Sequence, residues 1–280
     1  PEIGELSSLK YLNITENYNL TGSIPPEIGN LNNLIELNIS DTQNLLTGGI
    51  PPEIGNLANL EKLSLFNNGL SGSIPSEIGN LTNLNYLRLS NNQLSGSIPS
   101  EIGNLVTLTY LDVGANQLSG IISTEIGNLL SLLRLGLSSN QLTGEFPDEI
   151  YNLNNLEDLF LNNNQLSGEL PPGFASLINL ERLNLSHNQF GGEFPDGICE
   201  LTNISLLDIS NNQFCSYPWC FYDYYFGYQD TTNCGPSDYF GPVWHVSTVG
   251  SDENGNGSEE SPFASIQKGI VSSFSGDTVL

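Results

Sequence analysis

The sequence has no methionine, two tryptophans, two histidines and only six basic residues in 280. Against 31 acids this leaves a formal charge of −25. Phosphate backbones are held by clustered Lys and Arg, so nucleic acid is excluded as a partner. Anionic membrane surfaces are disfavoured for the same reason. A large charge of one sign favours solubility. No apolar run reaches the roughly 20 residues that a bilayer-spanning helix needs. Catalytic patterns are also missing. There is no Ser-His-Asp order tied to a nucleophile elbow, no glycine-rich phosphate loop, no kinase signature, and no carboxylate pair outside the repeat described next. No catalytic residue, metal ligand or cofactor is assigned, and the chain is expected not to be an enzyme by itself.

What is present is periodicity. In Leu84 to Pro99, LNYLRLSNNQLSGSIP, leucines stand at positions one, four, six and eleven, with Asn at nine and Gly at thirteen. The frame restarts at 60, 84, 108, 132, 156, 180 and 204, a period of 24, with earlier copies at 9 and 34. A fixed period in this range marks a solenoid whose coils bury a shared core. The Leu-x-Leu alternation, as in Leu87 and Leu89, predicts a short strand with one buried face. The Asn column (Asn17, Asn68, Asn92, Asn116, Asn140, Asn164, Asn188, Asn212) is placed to pair backbone groups that leave the ladder. Gly72, Gly96, Gly120, Gly144 and Gly168 predict bends. Pro75, Pro99, Pro147, Pro171 and Pro195 end pairing. In PPEIGNL and PSEIGNL, Pro followed by an acid predicts the first turn of a short helix. Its recurring acids Glu27, Glu53, Glu77, Glu101, Glu125 and Glu149 form a solvated convex ridge that stops at Gly173 and Gly197. The extra residues Tyr18-Asn19 and Thr42 to Leu45 are expected to bulge at the outer rim.

This frame resembles the leucine-rich repeat family, in its 24-residue Leu-x-Gly-x-Ile-Pro class familiar from plant receptor-like proteins. The resemblance covers residues 1–214 and implies an α/β solenoid: a leucine-rich repeat horseshoe with a concave parallel β-sheet. Residue 1 is Pro and PEIGEL reads as the tail of a repeat, so the sequence reads as a piece of a longer chain.

Positions two, three, five, seven and eight should point outward on the concave face. Five of the six basic residues fall there: Lys10, Lys62, Arg88, Arg134 and Arg182. Parallel strands about 4.8 Å apart bring column neighbours together. Tyr86 should meet Tyr110, Arg88 should meet Asp112, and Asp158 should meet both Arg134 and Arg182. Cross-strand pairing alone explains such a pattern. Tyr and Arg are also the residues that dominate recognition surfaces. The candidate ligand-binding set is Lys62, Tyr86, Arg88, Tyr110, Asp112, Arg134, Asp158, Phe160, Arg182 and Asn184, for a protein, peptide or glycan partner. Replacing Arg134 and Arg182 is expected to leave folding nearly intact, as for exposed ion pairs. His187 reads as a plain surface residue.

From Cys215 the repeat breaks into an aromatic stretch containing Tyr217, Trp219, Phe221, Tyr222, Tyr224, Tyr225, Phe226 and Tyr228, expected to cap the last coil over residues 215–243. Cys199, Cys215, Cys220 and Cys234 predict two disulfides and an oxidising compartment, in one of three connectivities. A zinc site lacks the paired Cys-x-x-Cys units that such sites favour. Residues 244–280 resemble the opening of a right-handed parallel β-helix of the pectate-lyase-like kind, through Val246, Ser247, Gly250, Pro262, Phe263, Ile266, Gln267, Gly269, Ile270 and the Gly-Asp-Thr-Val from Gly276 to Val279. The resemblance implies a truncated β-helix start and no completed active site. The reading is a secreted or cell-surface recognition module, monomeric. The alternatives are a targeting module of a polysaccharide-acting β-helix enzyme and a structural or adhesive surface protein.

Overall fold

The computed structural model describes residues 2–42, 45–216, 220, 228–232, 234, 243–244 and 278–279. The solenoid is built from two parallel nine-stranded sheets joined coil by coil. The first sheet runs in strict sequence order from Tyr11–Thr15 to Leu206–Asp208. Its strands are short because each contributes little more than one inward leucine, flanked by outward polar residues. Leu63, Leu87, Leu111, Leu135, Leu159 and Leu183 share one register and are fully buried. The second sheet, from Gly22–Ser23 to Gln213–Ser216, is formed by the Leu-x-Gly pieces. Here Gly72, Gly96, Gly120, Gly144 and Gly168 take φ of +77° to +84° and turn the chain out of the sheet. The Pro-x-Glu-Ile-Gly-Asn segments form 3₁₀ turns such as Ser76–Asn80 and Ser100–Asn104 on the convex side.

The Asn column works through the backbone rather than amide to amide. Asn188 donates from Nδ2 to Leu185 O and to Leu161 O of the preceding coil, both at 3.0 Å. Its Oδ1 accepts the Leu166 N–H at 3.1 Å. The same set repeats at Asn92, Asn116, Asn140, Asn164 and Asn212. Just before each Asn, position eight adopts left-handed φ between 51° and 59°, at Asn91, Ala115, Ser139, Asn163, His187 and Asn211 among others. His187 is exposed there and lies 3.2 Å from Asn211 Nδ2.

Thr42 departs from expectation. It is fully buried, so it is no part of a rim bulge. The second coil has no Asn at this place, and Thr42 fills it. Its hydroxyl donates to Asn68 Oδ1 at 2.6 Å and accepts the Leu46 N–H at 3.2 Å. The hydroxyl thus relays the contact that an Asn carbonyl receives directly elsewhere. Tyr18 and Asn19 are exposed, as expected of a rim insertion. Outside the Asn column, a second ladder runs along the other edge. Asn59, Asn83, Asn155 and Asn179 each donate to a carbonyl one coil back, at 2.8 Å.

The glycines of the Glu-Ile-Gly-Asn turns answer to coil stacking. A Cβ on Gly29, Gly55, Gly79 or Gly103 would lie 2.4–2.5 Å from the Glu carbonyl oxygen of the next coil. Where this slot holds Tyr151, the next coil has Gly173 in place of Glu, since a Cβ there would lie 2.1 Å from the Tyr151 ring. Where the slot holds Ala175, the following coil has Gly197, with Ala175 N 3.2 Å from the place of its Cβ. The acidic ridge therefore ends because its packing partner changed. Tyr151 packs on Phe146 and Phe174, each at 5.3 Å, and its hydroxyl donates to Pro171 O at 2.6 Å. Burial raises the pKa of its phenol. Gly173→Ala is expected to destabilise by about 1–3 kcal/mol as an overpacked contact. The loss should shrink by at least about 1 kcal/mol in a Tyr151→Gly background. Urea denaturation of the four proteins of this cycle measures the coupling, and additivity within about 0.5 kcal/mol would refute the slot.

At the far end the described residues extend the ladder by part of a tenth coil. Asn212 bridges in parallel to Gln229. Gln229 Oε1 accepts the Phe214 N–H at 3.2 Å, and its Nε2 donates to Ile209 O at 2.8 Å. Those are the bonds that an Asn supplies in earlier coils, made here by the longer amide. Disulfides Cys199–Cys220 and Cys215–Cys234 tie this end, which decides the connectivity and removes the thiols from metal binding. Of the expected aromatic cap, Tyr228 is described and exposed; the others lie outside the described residues. The β-helix positions 246–277 also lie outside them. Val243–Trp244 pairs in parallel with Thr278–Val279.

Candidate functional site on the concave sheet

Alternation along each strand of the first sheet sends positions three and five outward, and parallel register stacks them into columns. Column three runs Glu36, Lys62, Tyr86, Tyr110, Arg134, Asp158, Arg182. Column five runs Ser64, Arg88, Asp112, Gly136, Phe160, Asn184. The candidate residues named from the sequence therefore share one sheet. Position seven differs from expectation. Ser40, Ser90 and Ser186 are buried there, because longer neighbours fold over them and take their hydroxyls as partners. Ser90 Oγ donates to Asp112 Oδ2 at 2.9 Å, and Ser186 Oγ to Asn184 Oδ1 at 2.7 Å.

Each of the four cations on these columns meets an acid and a ring. Lys62 Nζ lies 2.8 Å from Glu36 Oε1 and 5.6 Å from the Tyr86 ring centre. Tyr86 and Tyr110 stack with centres 4.4 Å apart and planes inclined by 15°. Burial, with Asp112 adding to it, raises the pKa of the Tyr110 hydroxyl. Arg134 sits between the Tyr110 ring at 5.4 Å and the Phe160 ring at 4.9 Å. Its Nη1 lies 3.3 Å from Asp158 Oδ2. Arg182 holds the same carboxylate through Nε and Nη2, each at 2.5 Å. That bond holds the pKa of Arg182 above its ordinary value. Asp158 is only 5% exposed, so this candidate is a hidden anchor for two guanidinium groups.

The centre of the sheet opens into a depression of about 330 Å³. Gly114 and Gly136 leave its floor without side chains, and Arg88, Asp112, Arg134 and Phe160 line it. Asp112 lies along this floor. Its Oδ1 accepts the Gly114 N–H at 3.1 Å, and a Cβ on Gly136 would stand 2.9 Å from that oxygen. Arg88 stacks on Phe66 at 3.5 Å, with its Nε 3.8 Å from Asp112 Oδ2. Among the described residues, Arg134 Nε is a buried side-chain donor without an acceptor. Phe66, Ser90, Gly114 and Gly136 were not picked out from the sequence. Their signal was faint: Phe66 stands in column seven, where later coils have Ser, Gly or Asn, and the two glycines interrupt adjacent columns at neighbouring coils. Lys10 precedes the first strand and is exposed.

The arrangement offers fixed donors and acceptors around a shallow hollow and no evident nucleophile. Among the described residues, no group of three His, Cys, Asp or Glu could hold a metal ion. None of the described helices is long and apolar enough to cross a membrane.

The family description Leucine Rich Repeat matches residues 8–31, 33–57, 107–129, 131–153, 155–177 and 179–201. A two-copy version of it matches 58–98. No curated protein sequence matches the chain significantly. Among solved structures, the ectodomain of the receptor kinase GASSHO1/SCHENGEN3 from Arabidopsis thaliana, in complex with CASPARIAN STRIP INTEGRITY FACTOR 2, is 37% identical, with a TM-score of 0.76 over 81% of this chain and 27% of that one. The Arabidopsis receptor kinase HAESA, in complex with a peptide hormone and a co-receptor, is 28% identical, with a TM-score of 0.70 over 86% of this chain and 40% of that one. A plant ice-binding protein is 32% identical, with a TM-score of 0.59 over 74% of both chains. The chain thus spans less than half the length of the two receptors. Repeat matches along most of the solenoid, joined to its paired parallel sheets, place this chain in the leucine-rich repeat family.

Proposed function

We propose that the chain is a recognition module that holds a segment of a protein or peptide partner against the concave sheet, centred on the depression between Arg88 and Arg134. The observation that carries this reading is the hollow itself: a floor of two glycines and one carboxylate, walled by guanidinium groups already held in place by rings and acids. Groups fixed before binding lose little side-chain freedom when a ligand arrives. Solved relatives in complex with peptide hormones support the same class of partner. A glycan is less suited to this face. Sugar rings pack on open aromatic faces, and here Arg88 covers Phe66 while Arg134 and Arg182 lie over Phe160.

Arg88 gives the cleanest test. Its side chain is 32% exposed and its ion pair is long, at 3.8 Å, so Arg88→Ala should cost only about 0–1 kcal/mol of stability. Binding to peptides selected from a linear display library against the full chain should fall about tenfold or more, the loss expected for an anchoring Arg. Unchanged affinity, by calorimetry on such peptides, would remove the hollow from the site. Arg134 and Arg182 are less suitable together. Removing both strands the buried Asp158 carboxylate, so the pair should cost roughly 3–5 kcal/mol, far more than exposed ion pairs do.

The two disulfides fit an oxidising compartment and a secreted or surface location. We propose a division into solenoid (1–214), cap (215–243) and a second unit (244–280). The parallel pairing of Val243–Trp244 with Thr278–Val279, which joins the end of the cap to the last unit, supports a β-helix start there. A β-helix there fits the second reading, a targeting module in a longer polysaccharide-acting protein.

A further inference from the structure

The second sheet carries a surface that the concave reading does not use. Gln93, Gln117, Gln141, Gln165, Gln189 and Gln213 recur at the same place in six successive coils, the first five of them exposed and Gln213 half-buried. Parallel register sets Gln117 opposite Ser95, Gln141 opposite Ser119 and Gln165 opposite Thr143. None of these side chains makes a hydrogen bond to the protein, so the coil itself has no need of an amide there. On the first sheet the polar groups are instead consumed by one another. The stripe is also neutral in a chain of net charge −25. Strands Gln93–Gly96, Gln117–Gly120 and Gln141–Gly144 contain no charged residue, and acids follow the bend glycine from the third of these coils onward, at Glu145, Glu169 and Glu193.

We propose that this stripe docks a neutral polysaccharide chain. A concave column that reads Glu, Lys, Tyr, Tyr, Arg, Asp, Arg suits an irregular partner. A column that repeats one residue suits a partner that presents the same group at each step. Each step of the column combines one strand spacing of about 4.8 Å with a two-residue shift along the strand, since Gln117 faces Ser95 and Gln141 faces Ser119. A primary amide beside a hydroxyl both donates and accepts, as sugar hydroxyls do, and free groups of this kind lose no internal bond on docking. The bordering carboxylates and the overall charge repel anionic polymers. The proposal stands independently of the concave site.

The test is co-sedimentation of the full 280-residue chain with insoluble cellulose and chitin, and affinity electrophoresis in soluble neutral xylan and mannan. Variants are the double substitution Gln117→Glu with Gln141→Glu, and Arg88→Ala, each checked for an unchanged melt. Retention on at least one neutral polysaccharide is expected, weakened about tenfold or more by the double variant and untouched by Arg88→Ala. No retention on any of the four overturns the proposal. So does retention that ignores the glutamine changes, that is lost with Arg88→Ala, or that appears only on polygalacturonate added as an anionic control. A failure confined to the glutamine arm leaves the concave reading standing, and the reverse holds equally.

Discussion

Asn188→Ala is expected to cost about 1–3 kcal/mol, because it orphans one buried N–H and takes one of two amide donors from each of two backbone carbonyls. The Leu166 N–H loses its acceptor, while the carbonyls of Leu161 and Leu185 each keep one donor, from Asn164 and Asn212. Leu161, Leu166 and Leu185 are themselves fully buried, so water cannot readily replace the lost partner. Asn188→Asp should be no milder, since it removes the donor and aims charge at two carbonyls. The equivalent change at Asn116, which is only part-buried, should cost less because solvent reaches that amide. Urea denaturation followed by circular dichroism measures both. A cost at Asn188 under about 1 kcal/mol would mean that the column fills space and does not bridge coils.

Leu135→Ala should cost about 2–5 kcal/mol. The side chain is fully buried, flanked in register by Leu111 and Leu159. Backbone bonds to both neighbouring coils fix the strands, so the walls of the cavity cannot collapse inward and the loss should lie in the upper half of that range. Leu207, in the last strand of the sheet, is only half-buried, and its replacement by Ala should cost visibly less. Equal losses at the two positions would contradict a stack in which each coil is supported by its neighbours. A loss below about half a kcal/mol at Leu135 would mean that the inward column is misassigned.

Much of this was legible beforehand, for a simple reason. A residue in a solenoid is surrounded chiefly by the equivalents of itself 24 positions away, so sequence alignment of the chain with itself predicts contacts. The pairs Tyr86–Tyr110, Arg88–Asp112 and Asp158 with both arginines could be named without coordinates. The Gly-for-Glu exchanges at 173 and 197 were equally visible, but their cause was not, because it depends on how closely successive turns approach. Thr42 was misread as part of a loop, since a hydroxyl doing the work of an amide leaves no mark in a motif. Gln229 was missed because its coil is incomplete and its side chain is one methylene longer than the pattern.

The repeat alone determined the architecture, the two faces and which residues lie beside one another, since periodic leucines must share a core and that fixes where everything else points. Only the tertiary structure decided how much of each side chain remains free. It left Asp158 hidden, covered the faces of Phe66 and Phe160, opened a hollow over Gly114 and Gly136, and left the glutamine amides of the second sheet unpaired. Those outcomes depend on distances of a few tenths of an ångström between neighbouring coils, which set whether a guanidinium reaches a ring or an acid before it reaches water.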